Sequence, residues 1–437
     1  MPSPTTTPYV CPKALFSRPI CSKQNRARRG SSLGLILFPR QHMRYDNQRN
    51  LMKANRRSFL LASGLTALAA SKAFGANDTI RLGAIGCGGR MRNILDSADK
   101  NGGFELVAGC DVYEPHREEI RTRSNDMAST HIDYRELLDK KDIDAVAIAS
   151  PDHWHVRIAA DALAAGKDVY LEKPVTHSIE EGAALIKAVR DTKHILQCGM
   201  QQRSWAHFAD AVNLIQSGSI GRVTRVRTYW YQNYQGRPPK KHIDPQLLDW
   251  KRWLGGAPDQ AFDEEKYRHW RWFWNFGGGA FTDLFTHWID VVQWAMKDDA
   301  PKLTQAMGDK YFFDMWDCPD TVQSISRYKD FEVSYDGTMV SSIDDGGLEF
   351  RGTLGTLKLT RESFEIYREQ IKGENPVLKE RSAEDGTITH VGNFFDCVRS
   401  RKEPNAPVET GVAAARAGHL ANLAMRKSEK IVWPMKA

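Results

Sequence analysis

The chain has 437 residues, 61 Lys and Arg against 54 Asp and Glu, a formal charge of +7 and 41% hydrophobic residues. That length corresponds to two to three domains with ample core; the charged and apolar fractions exclude a disordered, collagen-like or coiled-coil chain, and seven Cys exclude a small disulfide scaffold. The basic excess sits at the front, where residues 1–76 hold 13 of the bases and a single acid, Asp46, leaving 48 bases against 53 acids, a net of −5, over 77–437.

That front segment reads as an address. Residues 1–51 lack periodicity, are rich in Pro, Ser, Thr and Arg, and precede Met52-Lys53; they are expected to be a disordered leader assigned ahead of the true start. Asn55-Arg56-Arg57-Ser58-Phe59-Leu60-Leu61 resembles a twin-arginine export signal. The apolar run Phe59 to Ala70 is 12 residues long, too short to cross a hydrocarbon core ~30 Å thick as a helix. A charged start, a short apolar run and small residues up to Ala76 make a cleavable signal over 52–76. The expectation is a protein handed to the twin-arginine machinery and exported to the periplasm, with no stable membrane span.

The mature part opens with a strand pattern, Thr79–Ile85, followed at once by Gly86-Cys87-Gly88-Gly89-Arg90-Met91. Gly86 and Gly88 fit the first two positions of a dinucleotide fingerprint, where a tight turn lets backbone approach a pyrophosphate at a helix N-terminus. Met91 stands at the third position, where Gly or Ala is usual. A second strand, Phe104–Cys110, ends at Asp111, whose carboxylate suits the ribose hydroxyls of NAD and repels the 2′-phosphate of NADP. Then come helices at Glu114–Met127 and Tyr134–Asp139, strand Ala145–Ala149, helix Val156–Ala165, strand Asp168–Leu171, helix Ile179–Thr192 and strand Ile195–Cys198. Strands alternating with helices predict a parallel, doubly covered sheet, an NAD-binding Rossmann domain over 77–200.

Ser150-Pro151-Asp152-His153-Trp154-His155 follows one of these strands and Glu172-Lys173-Pro174 the next. With Gly199-Met200-Gln201-Gln202-Arg203, then Gly277-Gly278-Gly279 leading to Asp283, His287 and Asp290, and finally His390 to Ser400, they resemble the Gfo/Idh/MocA (glucose–fructose oxidoreductase / inositol dehydrogenase) family over nearly all of 79–437. The resemblance implies that the cofactor contacts Gly86, Gly88, Gly89, Arg90, Asp111, Ser150, Asp152, His153, His155, Glu172, Lys173 and Gln202. It also places Lys173 against both the nicotinamide ribose and the substrate hydroxyl. Read from the residues alone, Lys173 lies just past a strand's carboxyl end, where open parallel sheets bind ligands. Asp283 and His287 are four apart on a predicted helix and share a face with Asp290, while Leu284, Trp288, Val291 and Ala295 form a core stripe. A His beside a carboxylate is suited to removing a hydroxyl proton as hydride leaves carbon. His153 and His155 lack companions at metal-ligand spacing, so no metal is expected.

The rest, 201–437, reads as a substrate-binding and oligomerisation domain of α+β type. Val223–Tyr231 alternates and is aromatic, and a Pro/Lys/Gly-rich excursion runs to about Asp263. Strands follow at Val322–Tyr328, Phe331–Asp336, Gly346–Arg351, Gly355–Thr360 and Ser363–Tyr367, then a helix at Gly411–Lys427. Turns such as Tyr335-Asp336-Gly337 point to a large, mostly antiparallel open sheet. The aromatic runs Tyr229–Tyr234 and Tyr267–Trp274 offer stacking faces for sugar rings; Arg203, Tyr231, Trp272, Asp283 and His287 are the expected substrate contacts. With a net charge of −5 and no basic stripe in the mature part, nucleic acid is excluded as a partner. Five mature cysteines give no disulfide pattern, and a homo-oligomer, dimer or tetramer, is expected from the resemblance.

The expected function is NAD-dependent transfer of hydride from or to a hydroxyl of a sugar, sugar derivative or cyclitol. His287 serves as base, Lys173 polarises the hydroxyl and Asp283 orients the pair. Outside the cytoplasm no NAD pool recycles a released cofactor, so NAD is expected to be loaded before export and tightly held. A glycoside hydrolase or lyase working by transient oxidation and elimination is the alternative in chemistry. A catalytically silent sugar-binding protein is the alternative in class, and the Lys173/Asp283/His287 set argues against it.

Overall fold

The computed structural model describes residues 79–235, 242–369, 375–383 and 385–435; the expected leader (1–51) and signal (52–76) lie outside the described residues. No described helix is long and apolar enough to cross a membrane. The first half is built from short strands whose residues are buried on both faces, the pattern of a parallel sheet sandwiched by helices. In chain order these are β1 (Ile80–Ile85), α1 (Gly89–Asn101), β2 (Phe104–Cys110), α2 (Glu114–Arg123), β3 (Ser129–His131), α3 (Tyr134–Leu138), β4 (Ala145–Ile148), α4 (His155–Ala164), β5 (Asp168–Leu171), α5 (Glu181–Thr192) and β6 (Leu196–Cys198). The six strands are parallel in the order β3-β2-β1-β4-β5-β6. The order reverses between β1 and β4, and at such a point the strand ends open a crevice for ligands. The helix expected to reach Met127 stops at Arg123 because Asn125 and Asp126 take left-handed backbone (φ 51° and 63°).

The second half comprises α6 (Ala206–Gln216), β7 (Val223–Tyr231), α7 (Trp250–Leu254), α8 (Glu264–Arg268), a π-helical turn at Phe281–Phe285 that runs into α9 (Thr286–Met296), and strands β8 (Leu303–Asp309), β9 (Thr321–Arg327), β10 (Glu332–Thr338), β11 (Gly346–Gly352), β12 (Gly355–Leu359), β13 (Ser363–Arg368) and β14 (Leu378–Arg381). Then follow α10 (Gly386–Ser400), α11 (Val408–Lys427) and β15 (Ile431–Val432). Nine strands form one sheet in the order β14-β13-β12-β11-β7-β10-β9-β8-β15, antiparallel except where β10 pairs with β7. Buried residues alternate with exposed ones along β9 and with mostly half-buried ones along β10, so one face is packed and the other more open.

One expected turn is not formed. Tyr335-Asp336-Gly337 is not a turn but the middle of β10, in register with Thr228, Tyr229 and Trp230 of β7. A Cβ on Gly337 would lie 2.6 Å from the Tyr335 hydroxyl, so the glycine makes room for a neighbouring ring and not for a reversal. α10, from beyond 201, packs on the first half. Its Phe394, Phe395 and Cys397 share a core with Ile80 of β1 and Met91 and Ile94 of α1, and Asn101 Nδ2 donates to the Ile388 carbonyl at 2.8 Å. Met91, fully buried in that core, fills the space that the usual small residue would leave for closer helix–strand contact. All five cysteines of the described residues are free and buried.

Candidate active site

The strand ends create two adjoining cavities. The first, about 470 Å³, runs over the carboxyl ends of β1, β2 and β4 and is lined by Gly86, Gly88, Gly89, Arg90, Asp111 and Ser150. Gly86 has φ +78°, and a Cβ there would sit 2.7 Å from the Ser150 backbone nitrogen. Only glycine fits. Gly88, the N-cap of α1, makes no side-chain cap, so its first-turn N–H groups remain for an anion. Asp111 accepts the Cys87 N–H at 2.7 Å and the Tyr113 N–H at 2.8 Å, and contacts His116 Nδ1 at 3.1 Å. A glycine cradle, an uncapped helix start and a carboxylate at the end of β2 fit a dinucleotide without a 2′-phosphate.

The far wall of this groove comes from the second half. Ile243, Arg252, Trp253, Tyr267, Arg268 and Arg271 line it. The segment is fastened to three strand ends. Tyr113 after β2 shares a core with Ile243 and Leu248, and the Asp249 N–H donates to the Val112 carbonyl at 3.0 Å. Arg252 pairs with Asp133 after β3 at 3.3 Å. After β4, Trp154 Nε1 donates to the Trp253 carbonyl at 2.9 Å, and His153 Nε2 lies 3.1 Å from the same oxygen.

The second cavity, about 500 Å³, is lined by Arg90, Glu172, Lys173, Gln201, Gln202, Trp230, Arg271, Asp283, His287 and Arg361 among others. Lys173, beyond β5, donates from Nζ to both the carbonyl and Oδ1 of Asp283 at 2.7 Å. Arg271 Nε donates to the same Oδ1 at 3.0 Å. Burial alone would raise the Asp283 pKa; Lys173 and Arg271 outweigh it and hold the carboxyl below the usual carboxylate range. Arg90 Nε donates to Glu172 Oε1 at 2.7 Å. His287 stacks on Trp230, ring centroids 5.6 Å apart, and its Nδ1 has no hydrogen-bond partner. Burial first, then Lys173, Arg361, Arg90 and Arg271, push its pKa well below the ordinary histidine value. The arrangement is a neutral imidazole beside an ammonium, with unpartnered polar atoms on Ser150 and Gln202 close by.

Comparison with known proteins agrees with this geometry. Residues 80–200 match the Gfo/Idh/MocA profile described as an oxidoreductase family with NAD-binding Rossmann fold, and 208–358 match the GFO/IDH/MocA C-terminal domain. The chain belongs to the Gfo/Idh/MocA oxidoreductase family. It is 30% identical to levoglucosan dehydrogenase of Pseudarthrobacter phenanthrenivorans over 162 residues, 37% of this chain and 35% of that one. It is 27% identical to inositol 2-dehydrogenase of Salmonella typhimurium over 175 residues, 39% of this chain and 50% of that one. The chain thus spans about a third to a half of these relatives' lengths. In fold it is similar to a levoglucosan dehydrogenase solved with NADH and levoglucosan, with a TM-score of 0.67 and 19% identity, covering 82% of this chain and 100% of the other.

Within this family fold the expected residues divide. Gly86, Gly88, Gly89, Arg90, Asp111 and Ser150 line the groove; His155, Glu172, Lys173, Gln202, Asp283 and His287 line the second cavity. Asp152 is buried beneath it, its pKa pushed well up by burial and by Asp283, with one oxygen unpartnered. His153 faces Trp253 and so fastens the groove's far wall. His155 has both ring nitrogens against carbonyls, of Pro174 at 2.6 Å and Ser150 at 2.8 Å. Asp283 orients Lys173 and Arg271; His287 is positioned by Trp230. Arg203, Tyr231 and Trp272 line neither cavity. Arg203 is spent on buried Asp290 at 2.8 Å, Tyr231 donates to Asp336 at 3.0 Å, and Trp272, 1% exposed, stacks on Trp316. Trp230 and Arg271, from the two aromatic runs, and Arg361, which no motif marks, line the second cavity.

Proposed function

We propose that this protein is an exported NAD-dependent oxidoreductase that transfers hydride from or to a hydroxyl-bearing carbon of a sugar, sugar derivative or cyclitol. The observation that carries this reading is Lys173 Nζ, pinned by Asp283 at 2.7 Å in a cavity shared with neutral His287 and contiguous, through Arg90 and Ser150, with the dinucleotide groove. NAD, when bound, supplies the hydride acceptor. Lys173 holds the alcohol oxygen and stabilises its developing negative charge; the His287 imidazole takes the hydroxyl proton; Asp283 keeps the lysine in place. Asp111 receives the ribose hydroxyls and disfavours NADP.

The twin-arginine segment supports export in the folded, cofactor-loaded state, and the fastened far wall of the groove supports tight retention of NAD. The open face of the large sheet, with Met307 and Ile325 exposed, supports a dimer or tetramer. The test is a panel of sugars, cyclitols and glycosides given to protein purified from the exported fraction, following cofactor absorbance and released products together. Reduction of bound cofactor by a sugar, lost by 10²–10⁴-fold in Lys173→Ala, is the expected result. Aglycone release without net cofactor change reads out redox-neutral glycoside cleavage instead. Protein free of NAD(H) as purified overturns the retained-cofactor element, and turnover of Lys173→Ala within a few-fold of wild type overturns the assigned chemistry.

A further inference from the structure

Arg361 lies in the turn between β12 and β13 and lines the cavity that holds Lys173, Asp283 and His287. Its guanidinium carbon is 4.7 Å from the centroid of the Trp230 ring, the ring against which His287 stacks. The other cations of this cavity each have a carboxylate: Lys173 and Arg271 share Asp283, and Arg90 has Glu172. Among the described residues none places a carboxylate within ion-pair distance of Arg361, and its Nε is out of contact with solvent and without a hydrogen-bond partner. Asp385, the third carboxylate of the cavity wall, accepts the Thr387 N–H at 2.9 Å as the cap of α10, and Glu362 is exposed; both attract the guanidinium without pairing with it. Burial, and then Arg90, make the charged guanidinium less favourable here than in water.

A desolvated cation without a counterion is costly, and the cost is relieved when a ligand brings the opposite charge. Guanidinium presents a planar fork that matches a carboxylate bidentately. One unpaired guanidinium also matches one negative charge. A phosphate dianion would leave an excess negative charge beside Glu172, Asp283 and Asp385. Resting on the oxidoreductase reading above, we infer that the substrate is an acidic sugar whose carboxylate pairs with Arg361 while a hydroxyl on another carbon meets Lys173 Nζ. The carboxylate does a second thing. Arg361 is one of the four cations that keep His287 unprotonated, so neutralising it makes the imidazole a stronger base only when an acidic sugar is present.

The experiment titrates protein loaded with NADH, which cannot oxidise the ligand, with matched pairs by calorimetry: glucose and glucuronate, galactose and galacturonate, mannose and mannuronate, with glucose 6-phosphate as a further arm. At least one uronate is expected to bind roughly 10- to 100-fold tighter than its aldose, the range of a hydrogen-bonded charge pair. Arg361→Gln is expected to bring that ratio to about one, and Arg361→Lys, which keeps the charge and loses the fork, to an intermediate value. Aldose and uronate binding equally in every pair, an unchanged ratio in Arg361→Gln, or a preference for the phosphate over the uronates overturns the inference. The two readings fail separately. A uronate preference that depends on Arg361, with no sugar acid reducing oxidised cofactor, removes the oxidoreductase and leaves the acidic-sugar site; turnover of neutral sugars without a uronate preference does the reverse.

Discussion

Lys173 and Asp283 come from the two halves of the molecule, 110 residues apart, and meet at 2.7 Å with side chains only 10% and 9% exposed. The carboxylate also carries Arg271, so one negative group compensates two buried cations. Removing it and removing the lysine therefore have unequal consequences. Asp283→Ala strands both cations and is expected to cost about 3–5 kcal/mol of stability. Lys173→Ala leaves Asp283 paired with Arg271, so denaturant unfolding shifts much less while turnover falls 10²–10⁴-fold. Urea titration and steady-state kinetics on the two variants check the asymmetry. Equal destabilisation by both substitutions contradicts it.

The pH dependence follows from His287. It must be unprotonated to accept a proton, and burial with four neighbouring cations depresses its pKa well below the ordinary histidine value of about 6.5. Acidification therefore removes the base only at pH below 6.5, and oxidation is expected to stay flat through neutrality. Arg361→Gln deletes one repelling charge, so the acid limb moves upward in pH. A kcat/KM profile for a neutral sugar reads both effects; an acid limb already at or above 6.5 in the wild type speaks against His287 as the base.

How far the sequence carried this site depended on the kind of signal. The glycine turn, the apolar strands and Asp111 are local features with a fixed order, and the first sheet follows them closely. The aromatic runs are ambiguous because neighbouring strand residues point to opposite faces. Tyr229 and Tyr231 lie side by side, ring centroids 5.5 Å apart, whereas Trp230 between them packs on His287 and Trp288. Tyr231 is thus one residue and one face away from Trp230, which lines the cavity. Spacing of four between Asp283 and His287 presumed a regular helix; the π-turn at Phe281–Phe285 changes the angular offset, and the carboxylate faces Lys173 instead. Arg361 carries no sequence signal, since its meaning lies in the absence, among the described residues, of a carboxylate at ion-pair distance.

Histidines with depressed pKa values make the fold acid-sensitive. His153, His390 and His419 have pKa values pushed down to about 4, by burial first. Their folded values lie below the unfolded value of about 6.5, so the unfolded chain takes up protons first as pH falls. The stability they provide is complete above pH 6.5 and is lost between 6.5 and 4. Each contributes up to about 3 kcal/mol to that loss. Thermal unfolding is expected to drop across this window, and His390→Gln to flatten part of the drop. His390 is a good test because it lines neither cavity, with Nε2 2.9 Å from the Cys198 carbonyl and Nδ1 2.7 Å from Ser204 Oγ. A Tm that is level from 6.5 to 4 is the contrary result.

Retention of the dinucleotide is expected to depend on apolar packing along the groove's far wall more than on its ion pair. Leu248 and Tyr113 are buried together, and Tyr267 meets Tyr113 edge-on at 5.9 Å. Arg252, which reaches Asp133, is 39% exposed, and a pair that open to solvent contributes about 1 kcal/mol or less. Truncating a buried leucine costs about 2–5 kcal/mol when its cavity cannot collapse; as each 1.4 kcal/mol is tenfold, Leu248→Ala combined with Tyr267→Ala should release bound NAD(H) at least roughly tenfold faster. Arg252→Gln should change release by no more than about fivefold. Stopped-flow release of NADH fluorescence, with circular dichroism to confirm that both variants stay folded, separates the two. Faster loss from Arg252→Gln than from the double variant would mean that charge, not packing, fastens this wall over the cofactor.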